Sequence, residues 1–324
     1  MNSDRNRDAT DRNPHASARN PTPDRNPGPA ATNTTPTAAA TAPTPAPTDW
    51  PLDRTYAGPT GDVAWAALGP EDAPPVVLVH GTPFSSYVWR GPARALAGRY
   101  RVYVWDLPGY GASAKHPGQD VTLAAQAKVL AGLLDHWGLD QPAVVAHDFG
   151  GCVALRALLL HGARYERLAL VDPVALAPWG SPTYRHLGAH ADVFAALPPA
   201  LHEALVREYL RSASHRGLHP ATLDRLAAPW CTPDGQPAFY RQIEQNDQRF
   251  TDEIQGRYGE LDLPVLICWG TRDTWIPVDR GHELAKLIPG AELRLIEGAG
   301  HLAQEDAPAE LTAALGEFLG TGRR

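Results

Sequence analysis

Short valine-rich runs alternate with longer amphipathic stretches along most of the chain, and this alternation limits the possible folds more than any other feature. Apolar runs of four or five residues are typical of strands that are buried on both faces. Such strands, alternating with helices, form a parallel sheet that helices cover. The predicted strands are Val76–Val79, Arg101–Trp105, Ala143–Val145, Leu168–Val171, Val265–Cys268 and Leu293–Ile296. The predicted helices are Leu123–Trp137, Gly150–Leu160, Arg280–Ile288 and Ala309–Leu319. We also expect Asp62–Leu68 to add an antiparallel edge strand.

The alternation stops at about Ala175 and resumes at Leu263. The stretch between them has helical pieces broken by prolines, with many aromatic residues and histidines. An insertion of this size between two strands must lie over the carboxyl edge of the sheet, where ligands bind in such folds. We therefore predict an α/β core of residues 50–174 and 262–324, and a helical cap of residues 175–261.

The first 49 residues have a different composition from the rest of the chain. They are rich in Pro, Thr, Ala, Asn, Asp and Arg, and the first aromatic residue is Trp50. A segment with so little apolar surface cannot offset the entropy that ordering would cost. We expect residues 1–49 to be disordered and to have no catalytic role.

Overall charge and cysteine content exclude several classes of function. A net charge of -7 leaves no basic surface for nucleic acid or for an anionic membrane. The three cysteines are odd in number and widely spaced, which fits neither a disulfide framework nor a zinc site. No apolar run suits a membrane span or a secretory signal, so we expect a cytoplasmic protein. The oligomeric state is left open.

The segment Ala146–Gly151 joins a predicted strand to a predicted helix through a sharp turn with small residues on both sides. Asp148 occupies the centre of this turn. Its carboxylate is ionised at neutral pH, and it can displace a leaving group from saturated carbon to form an ester. The alternative is that Asp148 only caps the helix, where a negative charge is favourable.

Three more motifs follow strands, so one site could contain them all. They are His80-Gly81-Thr82-Pro83, the segment around Asp273, and His301 within Glu297–Leu302. With the turn at Asp148, this order of nucleophile, acid and histidine resembles that of the α/β-hydrolase superfamily over roughly residues 50–320. The motifs His-Asp-x-Gly-Gly and His-Gly-x-Pro are similar to those of the epoxide hydrolase and haloalkane dehalogenase branches.

The resemblance implies a two-step reaction that needs no metal or organic cofactor. Asp148 would form an alkyl ester, and His301 would activate water to hydrolyse it. Asp273 would orient His301, although Asp172 is an alternative because some dehalogenases place their acid there. The backbone N–H groups of Thr82 and Phe149 would form the oxyanion hole.

The leaving group separates the two branches. Epoxide hydrolases use two cap tyrosines as acids, and Tyr240 in Phe239-Tyr240-Arg241 resembles one of these, with Tyr184 as a possible second. Dehalogenases hold halide with a tryptophan after the nucleophile and a second Trp or Asn. Here those positions are Phe149 and Thr82, so the halide site looks incomplete, but epoxide hydrolases also usually have Trp where Phe149 stands.

We therefore expect hydrolysis of a small apolar electrophile, first of all an epoxide to a diol. A haloalkane or haloacid dehalogenase is the alternative, because the loop of residues 80–90 is similar to that of some dehalogenases. A non-hydrolytic ligand-binding protein on the same fold is a third possibility.

Overall fold

A single sheet runs through the computed structural model, which describes Trp50 and residues 52–321. Within these residues the strands are β1 Arg54–Gly58, β2 Gly61–Leu68, β3 Pro75–Val79, β4 Arg101–Trp105, β5 Ala143–His147, β6 Arg167–Val171, β7 Val265–Gly270 and β8 Glu292–Ile296. They are arranged in the order β1-β2-β4-β3-β5-β6-β7-β8. The segment 1–49, for which we predict disorder, lies outside the described residues.

All six predicted buried strands are present, and the expected α/β architecture is confirmed. The position of Asp62–Leu68 is a correction. It forms β2 and is antiparallel to β4 as expected, but β1 pairs with its other side and is the edge strand. β1 has no fully buried residue, so the apolar run that reveals the other strands is missing there.

The six strands β3 to β8 run parallel to one another, so their carboxyl ends lie at one edge of the sheet. Their register pairs Val79 of β3 with Ala146 of β5, and His147 of β5 with Val171 of β6. Residues that directly follow these strands are therefore neighbours in space although they are far apart in the chain. This edge gathers the motifs that the sequence singled out.

Helices cover the sheet. They are α1 Arg90–Leu96, α2 Leu123–Trp137, α3 Phe149–Leu160, α4 Pro182–Ala189, α5 Ala191–Ala195, α6 Pro199–Arg211, α7 Pro220–Ala227, α8 Gly235–Glu244, α9 Arg249–Gln255, α10 Asp279–Leu287, α11 Ala303–Asp306 and α12 Pro308–Gly320. The longest, α2, begins where Thr122 Oγ1 accepts a hydrogen bond from the Ala125 N–H and ends at Gly138 in the left-handed conformation. No described helix is both long and apolar enough to cross a membrane.

The six helices α4 to α9 lie between β6 and β7, and we call residues 182–255 the helical insertion. Polar contacts join it to loops of the sheet domain. Trp230 Nε1 donates to the Pro83 carbonyl at 2.7 Å, and Asn246 Oδ1 accepts from the Leu123 N–H at 2.8 Å. These bonds hold the insertion against the loops that follow β3 and precede α2.

Candidate active site

The turn between β5 and α3 places Asp148 in a conformation that few residues adopt. Its backbone has φ 51° and ψ -121°, which costs a non-glycine residue about 1–3 kcal/mol. Small neighbours make the turn possible, because a Cβ on Gly150 would lie 2.6 Å from the His80 carbonyl oxygen and one on Gly81 2.4 Å from the Asp148 carboxylate. Glycine at both positions therefore leaves the room that this strained turn needs.

The Asp148 carboxylate is held on both sides. Its Oδ1 accepts a hydrogen bond from the Thr82 backbone N–H at 2.7 Å, and its Oδ2 lies 3.3 Å from His301 Nε2. Its side chain makes no capping hydrogen bond to α3. The helix-capping alternative therefore does not describe this residue. Phe149 is the first residue of α3, so its N–H has no acceptor within the helix.

His301 is fully buried and lies between two carboxylates. Its Nδ1 donates to Asp273 Oδ2 at 2.8 Å, and Asp273 Oδ1 in turn accepts the backbone N–H groups of Trp275 and Ile276 at 2.7 and 2.9 Å. Burial disfavours the charged imidazolium, but the carboxylates of Asp273 and Asp148 raise the pKa of His301 well above its usual value. Both carboxylates thus favour the protonated form of His301.

Asp172, the alternative acid, is also buried and also has a positive φ, 42°. Its Oδ1 accepts the Gly270 N–H at 2.7 Å and its Oδ2 has no partner among the described residues. Burial, followed by the nearby charge of Asp273, raises the pKa of Asp172 well above its usual value. Asp172 is thus a buried carboxyl group beside the site, and Asp273 is the carboxyl group that contacts His301.

Two further histidines flank the site in neutral form. His80 Nε2 accepts the Leu107 N–H at 2.9 Å, and its Nδ1 donates to the Gly81 carbonyl. His147 Nε2 donates to the backbone carbonyl of His301 at 2.9 Å, and burial lowers the pKa of His147 to about 3. Both rings therefore hydrogen-bond to the backbone of loops that lie beside Asp148 or contain His301.

A small cavity, which we call the inner cavity, opens above Asp148. It is lined by Thr82, Asp148, Phe149, Val174, Trp179, Gly180, Ser181, Tyr184, Tyr209, Trp275 and Ile276. Asp148 is the only carboxylic acid among these lining residues, and none of them is Lys or Arg. The cavity can therefore receive a neutral electrophile but offers no Lys or Arg to an anionic one.

The two tyrosines predicted from the sequence lie in different places. Tyr184 lines the inner cavity, with its ring edge-on to Phe149 at 6.2 Å and its hydroxyl donating to the Ile243 carbonyl at 3.3 Å. Tyr240 does not line the cavity. Its hydroxyl donates to Nδ1 of His202 at 2.8 Å within the helical insertion. The structure thus corrects the expectation that Tyr240 faces the nucleophile.

Tyr209 is the cavity tyrosine that the sequence did not reveal. It lies on α6, and its hydroxyl makes no hydrogen bond to any residue that the structure describes. Burial, together with the charge of Asp148, raises the pKa of Tyr209, so its hydroxyl stays protonated. The only signal was the pattern of α6, where Val206 and Leu210 face the core and Tyr209 borders that face.

Two tryptophans also line the cavity, but their N–H groups point elsewhere. Trp179 Nε1 donates to Thr251 Oγ1 at 3.0 Å, and Trp275 Nε1 donates to Ser212 Oγ at 3.1 Å. The Trp275 ring stacks on His301 at 4.9 Å. The indole N–H groups are therefore already occupied by protein partners.

Gln242 on α8 joins the insertion to the loop that carries Thr82. It is fully buried, and its Oε1 accepts hydrogen bonds from Thr82 Oγ1 at 2.6 Å and from the Tyr110 hydroxyl at 2.9 Å. Because the Thr82 N–H donates to Asp148, this contact fixes one donor of the predicted oxyanion hole. The sequence analysis did not identify Gln242.

Comparison with known proteins places this geometry in context. A family model described as alpha/beta hydrolase fold matches residues 74–308. The chain is 30% identical to epoxide hydrolase A of Mycobacterium tuberculosis, with 78% of this chain and 92% of the relative covered. It is also 30% identical to a cis-3-alkyl-4-alkyloxetan-2-one decarboxylase of Xanthomonas campestris, with 78% and 90% covered. Among solved structures, an alpha/beta hydrolase fold protein from Burkholderia ambifaria is 46% identical with a TM-score of 0.79, covering 82% of this chain and 97% of that one.

Proposed function

Since the chain belongs to the α/β-hydrolase fold family and is an enzyme, we propose that it hydrolyses epoxides to diols through an ester on Asp148. One observation supports this most directly. The Asp148 carboxylate meets the Thr82 N–H on one side and His301 on the other, and it lines a cavity that Tyr209 also lines. The proposed nucleophile and acid therefore line one cavity, and the proposed base contacts the nucleophile.

In the first step, a carboxylate oxygen of Asp148 attacks a ring carbon of the epoxide, and the bond from that carbon to the ring oxygen breaks. The oxygen leaves as an alkoxide that stays attached to the substrate. Tyr209, with Tyr184 as the second candidate, gives it a proton. The products of this step are an alkyl ester on Asp148 and a tyrosinate.

Ester formation also changes His301. It removes one of the two carboxylate charges that raise the pKa of this histidine, so the imidazolium becomes a stronger acid. Its proton can neutralise the tyrosinate, which leaves His301 as a neutral base held by Asp273. The residue thus becomes a general base only after the first step has taken place.

In the second step, His301 takes a proton from water, and the resulting hydroxide attacks the ester carbonyl. The Thr82 N–H, with that of Phe149, stabilises the negative charge on the carbonyl oxygen. Collapse of this intermediate breaks the bond between the acyl carbon and the substrate oxygen, the departing alkoxide takes the proton of the new carboxylic acid and leaves as the diol, and Asp148 regains its charge. Water and epoxide are consumed one for one.

Two observations favour an epoxide over the halogenated alternatives. A halide ion needs N–H donors, whereas the indole N–H groups of Trp179 and Trp275 donate to Thr251 and Ser212. A haloacid carries a carboxylate, and no Lys or Arg lines the inner cavity to bind it. An epoxide oxygen needs an O–H donor, which Tyr209 supplies.

The proposal is tested by stopping the reaction at the ester. We expect His301→Gln to accumulate a covalent adduct with an epoxide, because the first step needs no base while the second does. Intact-protein mass spectrometry after incubation with a panel of epoxides and haloalkanes measures the added mass.

Two control variants make the result specific. Asp148→Asn combined with His301→Gln should trap nothing, and His282→Gln, at an exposed histidine on α10, should turn substrate over without a trapped ester. An adduct with haloalkanes but with no epoxide would identify a dehalogenase. Folded His301→Gln without any adduct would refute alkylation of Asp148.

A further inference from the structure

We propose that the enzyme selects terminal epoxides that carry an extended, uncharged apolar substituent. The epoxide ring would lie in the inner cavity and the substituent in a second space, the outer groove. The outer groove is lined by Ser181, Thr183, Leu205, Glu208, Tyr209, Ser212, Thr274 and Trp275. This inference rests on the proposed function and specifies the substrate of the same site.

The inner cavity is too small for a whole substrate of ordinary size. About 30 Å³ of it is open to the centre of a water molecule, and one water needs about 10–15 Å³ by this measure. Cavities that enclose small organic ligands are usually about 300–1,000 Å³. The cavity above Asp148 therefore has room for the reacting ring and for little else.

The outer groove supplies the missing room. By the same measure it has about 480 Å³, and it shares Ser181, Tyr209 and Trp275 with the inner cavity. The Tyr209 and Trp275 rings lie 4.7 Å apart, and both side chains are half-buried. Because both spaces are lined by these two rings, the rings would form the partition between them, and a turn of either ring would open a path from the groove to Asp148.

The groove favours an uncharged substituent. Leu205, Tyr209 and Trp275 give it a largely apolar wall, and no Lys or Arg is among its lining residues. Its one charged lining residue, Glu208, forms an ion pair with Arg211 at the protein surface. An anionic tail would meet Glu208 and no cation, whereas an alkyl or aryl tail would be removed from water.

This geometry also determines which ring carbon reacts. With a terminal epoxide, the unsubstituted carbon can approach Asp148 while the substituent leaves through the partition. An internal epoxide has a substituent on each ring carbon, and one of them would have to fit in the inner cavity. We therefore expect poor turnover of internal epoxides.

Three epoxides test the proposal: 1,2-epoxybutane, 1,2-epoxyoctane and the internal isomer 4,5-epoxyoctane. Removal of a methylene from water contributes up to about fourfold in kcat/KM. With four more methylenes, 1,2-epoxyoctane should exceed 1,2-epoxybutane by about 10- to 100-fold. It should exceed 4,5-epoxyoctane, which has the same number of carbons, by at least about 10-fold.

A pair of leucines on α6 provides a matched control. Leu205→Asp places a charge in the groove and should reduce the ratio of kcat/KM between the long and the short terminal epoxide by about 10-fold or more. Leu201→Asp changes an exposed leucine on the same helix outside the groove, so it should leave the ratio unchanged.

The groove is refuted if the short epoxide reacts as well as the long one, if the internal isomer reacts as well as the terminal one, or if both Asp variants change the ratio equally. The proposed function fails in a different way, because then no epoxide is turned over and His301→Gln traps no ester.

Discussion

At the scale of single residues, two tyrosines of the helical insertion differ in whether they line the inner cavity. Tyr209 lines the inner cavity and its hydroxyl has no hydrogen-bond partner among the described residues, whereas the hydroxyl of Tyr240 is bound to His202. Burial raises the pKa of Tyr240 to about 12, but no charge at the reacting centre contributes to that shift. By contrast, the Asp148 charge contributes to the raised pKa of Tyr209.

We therefore expect Tyr209→Phe to slow epoxide opening by about 100-fold. A general acid accelerates a reaction by about 10²–10⁴-fold, and in this variant Tyr184 could still donate the proton in part. Single-turnover measurement of ester formation in the His301→Gln background checks this step. Tyr240→Phe is the matched control: it should react at the parent rate while losing about 1 kcal/mol of stability with its hydrogen bond. Equal effects of the two variants on the rate would remove Tyr209 from its role.

The same residues show what the sequence could predict. Asp148, Asp273 and His301 each directly follow a strand or lie in a short loop after one, so local pattern placed them near one edge of the sheet. The cap tyrosines depend on how each helix of the insertion is rotated. Residues two apart on a helix point about 200° apart, so α8 cannot turn both Tyr240 and Gln242 towards Thr82. The sequence motif predicted that Tyr240 would face the site, but the packing of α8 turns Gln242 towards Thr82 and Tyr240 towards His202.

At the scale of elements, α8 would act on the proposed reaction through the loop after β3. Gln242 is the acceptor for Thr82 Oγ1, and the Thr82 N–H contacts Asp148. This places a residue of the insertion one hydrogen bond away from a donor of the proposed oxyanion hole. Gln242 would thus be a positioning residue, because it would act through Thr82 and does not line the inner cavity.

We expect Gln242→Leu to lower kcat by about 10-fold with little change in KM. A displaced N–H donor stabilises the transition state less, whereas it contributes little to substrate binding. Loss of a whole oxyanion donor lowers kcat by about 10²–10³-fold. In Gln242→Leu the donor is moved but still present, so the expected effect is smaller. Steady-state kinetics on one epoxide separates the two constants.

Gln245 supplies the control for this variant. It follows α8, and its Oε1 accepts the Val121 N–H at 2.8 Å, away from Thr82. Gln245→Leu should destabilise the protein without changing kcat. A fall of kcat in both variants would point to general loosening of the insertion.

Elements differ in how far the sequence reveals them. Strands buried on both faces, such as β5 and β6, are continuous apolar runs and were predicted within two residues of their ends. β1 is largely exposed and owes its existence to pairing with β2, which no local pattern records. The helix α1 has only seven residues, too few to show a helical period.

At the scale of the whole molecule, buried ionisable groups make stability depend on pH in two opposite directions. Burial lowers the pKa of His147 to about 3. Its contribution to the free energy of unfolding is therefore fully present above pH 6.5 and is lost as the pH falls through 3. The pKa of Asp172 is raised above 3.8, so its contribution is fully present below 3.8 and is lost as the pH rises through the folded-state value.

Asp172→Asn isolates the second effect. Because an amide does not ionise, we expect the variant to gain free energy of unfolding relative to the parent as the pH rises above 3.8, with no such gain below it. Urea denaturation at a series of pH values measures the difference. Activity should be retained, since Asp273 is the residue that contacts His301; a variant as inactive as Asp273→Asn would instead assign the acid role to Asp172.

The position of the helical insertion between β6 and β7 has an evolutionary consequence. Asp148 is encoded before the insertion and Asp273 and His301 after it, so the stretch of the gene between them encodes α4 to α9, with Tyr209 and Gln242. Recombination at the two junctions would replace the proposed acid and part of the groove wall while leaving these three residues in place. A replacement insertion would keep the proposed reaction only if it supplied a hydroxyl in place of Tyr209 and a partner for Thr82 as Gln242 does here.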